Sequence, residues 1–173
     1  MSNPVLRAIS DRRSIRSYKA EQVTEDHLDT VIRAAQESPS ARNAQPWHFS
    51  IVRNQDIIRE INAEAVKNLG REGDIFYAAP VVIFISTDAS GRWGRLDSGI
   101  AVENMALAAH SLGLGSVILG LPEAAFTGPL GEHFNKLLKF PEKYTFAVAI
   151  AIGVPAASKD AHPVEPGRID YIS

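Results

Sequence analysis

The chain has 173 residues, enough for one domain, and no cysteine. This excludes a disulfide scaffold, a Cys-ligated metal site and a thiol nucleophile. Its 18 Lys and Arg against 20 Asp and Glu leave a formal charge of −2, so there is no overall pull toward nucleic acid. The longest apolar stretches, 78–85 and 146–152, fall short of the ~20 residues of a membrane helix, and residues 1–10 lack the basic start and apolar centre of a signal peptide. The expectation is a soluble, cytoplasmic chain without nucleic-acid or membrane partners, folded as a single domain over 1–173.

Asn3 followed by Pro4 reads as an N-cap with proline at the first helical position, and Val5, Leu6 and Ile9 share one face of a short helix running into Asp11. Thr24 caps a second helix over 25–37, where Leu28, Val31, Ile32 and Ala35 recur at helical spacing until Ser38-Pro39 stops it. Residues 47–52 are aromatic and β-branched and predict a strand. A third amphipathic helix follows and ends near Gly70. The solid apolar run 80–85 predicts a strand buried on both faces at the sheet centre.

Residues 97–112 predict a long helix ended by Gly113, in which Ile100, Ala101, Val102, Met105, Ala106, Leu107, Ala108, Ala109 and Leu112 leave hardly any polar face. A chain of this size would struggle to surround it, so a homodimer built around this helix is expected, with Ala106 and Ala109 as positions where a bulky charge should break it. A strand at 115–119 and a helix at 130–140 come next. Between Phe146 and Val154 bulky residues alternate with Ala147, Ala149, Ala151 and Gly153, which predicts a strand with one bulky and one small face. Residues 155–173 predict an extended tail packed on something else.

Two segments carry chemistry. Arg12-Arg13-Ser14-Ile15-Arg16-Ser17-Tyr18 places three guanidinium groups and two serine hydroxyls where the first helix ends. Such a set grips a phosphate, although arginines there also complement the negative end of the helix dipole. Ser38-Pro39-Ser40-Ala41-Arg42-Asn43-Ala44-Gln45-Pro46-Trp47 joins helix to strand with small and amide side chains. Asn43 and Gln45 offer donors and acceptors suited to an imide edge or a sugar alcohol, yet alone the segment also reads as an ordinary turn before a core tryptophan. Glu103 and Asn104 interrupt the apolar helix and read as a cofactor contact or, more readily, as a buried polar pair tying helices together. The five histidines show no metal-ligand spacing, so no metal is expected.

In this order and spacing, with Ala79-Pro80-Val81-Val82-Ile83 and Ile100 to Met105 leading into Leu112-Gly113-Leu114-Gly115, the segments resemble the FMN-dependent nitroreductase family over about residues 4–155. The resemblance implies an α+β, three-layer fold: a central mixed sheet flanked by helices, in an obligate homodimer with a long buried interface helix and two FMN molecules at the interface. By analogy Arg12, Arg13, Ser14 and Arg16 come from one protomer, Arg12 and Ser14 on the phosphate and Arg16 nearer the ribityl chain and ring. Pro39, Ser40, Ala41, Asn43 and the neighbouring Gln45 come from the other. Leu119-Gly120-Leu121 sits where the family brings a backbone amide to flavin N5, and Lys159, His162 or Arg168 would add a basic group to the phosphate.

The implied activity is ping-pong hydride transfer from NADH or NADPH through the flavin to a small-molecule oxidant such as a nitroaromatic or quinone, without a catalytic side chain. Another reaction on the same scaffold (dehydrogenation, dehalogenation or flavin cleavage), a non-catalytic FMN carrier, and a module for a different nucleotide remain open at this stage.

Overall fold

A computed structural model describes residues 3–172, so the outermost ends of the expected single domain, 1–173, and of its tail lie outside the described residues. Helix α1 spans Pro4–Asp11, with the Asn3 side chain accepting from the Val5 and Leu6 amides at 2.9 and 3.2 Å. Helix α2 spans Glu25–Gln36 and is capped by Thr24. Strand β1 is Trp47–Val52, α3 is Gln55–Asn68, β2 is Val81–Asp88, α4 is Gly94–Ser111 and β3 is Gly115–Leu119. Two short helices, α5 (Glu123–Phe126) and α6 (Gly131–Leu137), precede β4, Tyr144–Gly153. Gly70 and Gly113, at φ 61° and 75°, close α3 and α4 in the left-handed conformation that glycine adopts without penalty.

The sheet order is β1-β2-β4-β3, and every pairing among these strands is antiparallel. The parallel component of the expected mixed sheet is an isolated bridge between Ser14 and Ser116. The run at 80–85 lies at the centre, as its composition demands: Ile83, Phe84 and Ile85 are fully buried, worth about 1.5–3 kcal/mol each. Ile83 and Ile85 face α2 and α4, in a cluster with Val31, Met105, Ala106 and Ile150. Phe84 faces the other way, with Ile61, Phe76 and Phe134 from the side of α3, α5 and α6. Two layers of helix thus sandwich the sheet.

The alternation in β4 is broken. Its register against β2 shifts between Ile85 and Ser86, which pair with Val148 and Phe146 and leave Ala147 unopposed. The bulge turns Phe146 onto the face of Ala149 and Ala151, where Phe126 stacks on it at 4.7 Å. The small face is therefore completed by a large ring. At its far end Gly153 is required, because a Cβ there would lie 2.7 Å from Pro80 and 2.9 Å from Tyr18.

Helix α4 begins one turn before the expected Asp97. Ala106 and Ala109 are fully buried within the chain's own core, so a charge there would test folding rather than association. The outward stripe is instead Leu96, Ile100 and Leu107, the first exposed and the others half-buried.

Candidate functional site

Residues 12–18 form an extended arm beside the sheet. The Ile15 amide donates to the Ser116 carbonyl at 2.9 Å, Lys19 donates to Val154, and Ala156 donates to Ser17. The Tyr18 hydroxyl donates to the Ile15 carbonyl at 2.7 Å, and burial pushes its pKa above the ordinary phenol range. A cavity of about 450 Å³ opens along the arm, lined by Arg12, Arg13 and Ser14 and, from the tail, by Lys159, Asp160 and His162. The Nε atoms of Arg12 and Arg13 are buried with no aligned hydrogen bond. Arg13 Nη1 donates to the carbonyls of Ser10 and Arg12, so this arginine serves the helix end as well as the cavity. Arg12 Nε lies 3.1 Å from Glu103 Oε1 on α4.

The 38–45 loop is built differently. Arg42, Asn43 and Gln45 all have positive φ, a conformation that costs non-glycine residues about 1–2 kcal/mol each. Side chains hold it there. Asn104 donates from Nδ2 to Ser38 Oγ at 2.7 Å, and the Ala41 amide donates to Oδ1 of buried Asp97 at 3.1 Å. Asp97 and Asn104 are seven residues apart, two turns on one face of α4. Within the loop Ser40 Oγ accepts from the Gln45 amide, and Asn43 Oδ1 accepts from Gln45 Nε2. Pro39 is exposed.

A family model described as the nitroreductase family matches residues 9–154. The chain belongs to the nitroreductase family. A relative from Methanothermobacter thermautotrophicus, named for NADH dehydrogenase and NAD(P)H nitroreductase, is 36% identical over 95% of this chain and 85% of its own. An NAD(P)H FMN reductase of Bacillus subtilis is 30% identical over 95% and 71%. The crystal structure of a nitroreductase with bound FMN from Desulfitobacterium hafniense matches with a TM-score of 0.92 at 31% identity, covering 100% of both chains.

Against this family background the remaining expected residues separate. Arg16 is exposed and sits over the Tyr77 ring, 5.8 Å from its centroid; Tyr77 and Ala78 are again at positive φ. Leu119 is buried at the end of β3, and Gly120 and Leu121 form an exposed turn into α5. A Cβ at Gly120 would meet no atom within 4 Å, so the chain itself leaves that backbone open. Glu123, just beyond, pairs with Arg95 on α4 at 2.7 Å. Among the basic tail residues Lys159 and His162 reach the cavity, whereas Arg168 lies outside its lining and pairs with Glu165 at 2.7 Å.

Asp97, which anchors the loop, and Tyr77, which lies under Arg16, were not legible in the sequence. The available signal for Asp97 was its spacing to Asn104 on an otherwise apolar helix. Among the described residues no three acidic or histidine side chains cluster to hold a metal ion, and no helix is long and apolar enough to cross a membrane.

Proposed function

We propose that this chain is an FMN-dependent oxidoreductase that takes hydride from NADH or NADPH and passes it to nitroaromatic, quinone or similar acceptors, working as a homodimer. The observation that carries this reading is the convergence of Arg12, Arg13, Ser14, Lys159 and His162 on one cavity. That donor set fits a phosphate monoester: forked cations, a hydroxyl and an ammonium. The open backbone at Gly120 fits close approach by a flat ring.

FMN, when bound, supplies the centre that accepts and gives up hydride. The protein's own tasks are then positional. Arg12 and Ser14 would hold the phosphate, Lys159 would add positive charge and His162 a ring nitrogen at the same end, and Arg16 would present a cation toward the ribityl chain and ring. Asn43 and Gln45, held at positive φ, offer amides to the ring or sugar from the loop of the second protomer. The amide at Gly120–Leu121 serves N5.

A second copy has surface to cover. No residue of α1 is buried, and its apolar face, Val5, Leu6 and Ile9, is 50–62% exposed. With the α4 stripe and the tail's Val164, Ile169 and Tyr171, this is apolar area that association would remove from water. Broad acceptor choice is favoured by the connection between β2 and α4, which is only residues 89–93 and leaves no inserted lid there.

The test is anaerobic. The protein loaded with FMN should lose its visible flavin band on addition of NADH or NADPH and regain it on addition of a quinone or nitroaromatic. A flavin that stays oxidised would leave a carrier, and failure to bind FMN would leave a module for another phosphate ligand.

A further inference from the structure

We infer that Glu103 is a positioning residue for the phosphate site, acting through Arg12; this rests on the FMN reading above. Arg12 Nε lies 3.1 Å from Glu103 Oε1, an ion pair whose side chains are 26% and 40% exposed. Glu103 lies outside the cavity lining, paired with an arginine that forms part of it. Among the described residues no hydrogen bond engages the two terminal nitrogens of Arg12, so its outer fork is free for an anion. Arg13, by contrast, spends Nη1 on two backbone carbonyls.

The carboxylate also stands on a fixed base. The next residue, Asn104, donates to Ser38 Oγ and to the Ala34 carbonyl, which fastens this turn of α4 to the end of α2. A free arginine side chain carries about 2 kcal/mol of rotamer entropy, part of which is lost whenever it is fixed on a ligand. Glu103 draws the Nε edge toward itself beforehand through the ion pair and leaves the terminal edge to the ligand. Its negative charge opposes the anion. Orientation and charge therefore act in opposite directions at this position and can be separated by substitution.

The experiment compares dissociation constants for FMN and riboflavin, which differ by the phosphate, in wild type, Glu103→Ala and Glu103→Gln. Glu103→Ala should weaken FMN about three- to fivefold and leave riboflavin unchanged. Glu103→Gln keeps an oxygen acceptor without the charge and should restore FMN affinity to the wild-type value or better. An unchanged FMN-to-riboflavin ratio in Glu103→Ala, or equal losses for both ligands, would overturn the inference. Wild-type protein that binds neither flavin would instead overturn the FMN reading itself.

Discussion

The arm at 12–18 and the loop at 38–45 reach similar ends by opposite means. The arm is extended and held mainly by backbone hydrogen bonds to β3 and to the chain just after β4, with Tyr18 half-buried against Gly153. The loop carries three non-glycine residues at positive φ and is fastened by two polar side chains of α4. Regular backbone suits a segment whose work is done by long cationic side chains, because their reach absorbs small errors of placement. A segment that presents short amides must place the backbone itself, and strain held by side-chain anchors from α4 is how this loop does so. Helix α4 serves both regions, with Glu103 on the arm and Asp97 and Asn104 on the loop.

If the regions divide the cofactor as proposed, the largest effect comes from the arm. Replacing both Arg12 and Ser14 by alanine removes two contacts to an anion, each worth about 1.5–3 kcal/mol, so FMN affinity should fall ~100-fold or more while riboflavin affinity is kept. Titration by flavin fluorescence reads both; a matching loss of riboflavin would mean that the arm does not single out the phosphate. Asp97→Ala frees the Ala41 amide and lets the loop relax, a loss of about 1.5 kcal/mol that should lower FMN and riboflavin affinity together, about tenfold. Loss of FMN alone would erase the contrast between the two regions.

The smallest effect is structural. Tyr18→Phe leaves the Ile15 carbonyl without its donor and should cost about 1 kcal/mol in denaturant unfolding, with little change in flavin affinity. Because burial raises the Tyr18 pKa, the native state holds this proton more tightly than the unfolded chain. Its contribution is full below the ordinary tyrosine pKa of about 10 and is lost as pH rises beyond it. The Phe variant should therefore lose less stability than wild type between neutral and strongly alkaline pH.

Much of this scaffold was readable from local rules. Asn3-Pro4 and Thr24 mark the starts of α1 and α2, and the apolar run at 80–85 declares the central strand because only a doubly covered strand tolerates it. The strand itself runs on to Asp88, since Ser86 and Thr87 are buried polar residues that a hydrophobicity pattern drops. The β4 bulge was hidden because it depends on pairing with β2, which periodicity within one strand does not report. Helix α5 is four residues long, below any periodic signal. In the candidate site, Arg12, Arg13 and Ser14 were legible as a local cluster, and the tail's basic residues only as a set. The fold brings Lys159 and His162 to the cavity lined by Arg12 and leaves Arg168 to its neighbour Glu165.

The central claim is that one flavin is held by the arm of one protomer and the loop of its twin. It is tested most directly with hybrid dimers, purified by two different tags, that pair an Arg12→Ala/Ser14→Ala chain with an Asp97→Ala chain. At an FMN concentration roughly three times the wild-type dissociation constant, where a tenfold loss leaves the Asp97→Ala parent only about a quarter filled, each hybrid has one site built from an intact arm and an intact loop, so it should bind FMN at half the wild-type level and above either parent. Hybrids that bind no more FMN than their parents would place the arm and loop of a single chain in the same site and contradict the account.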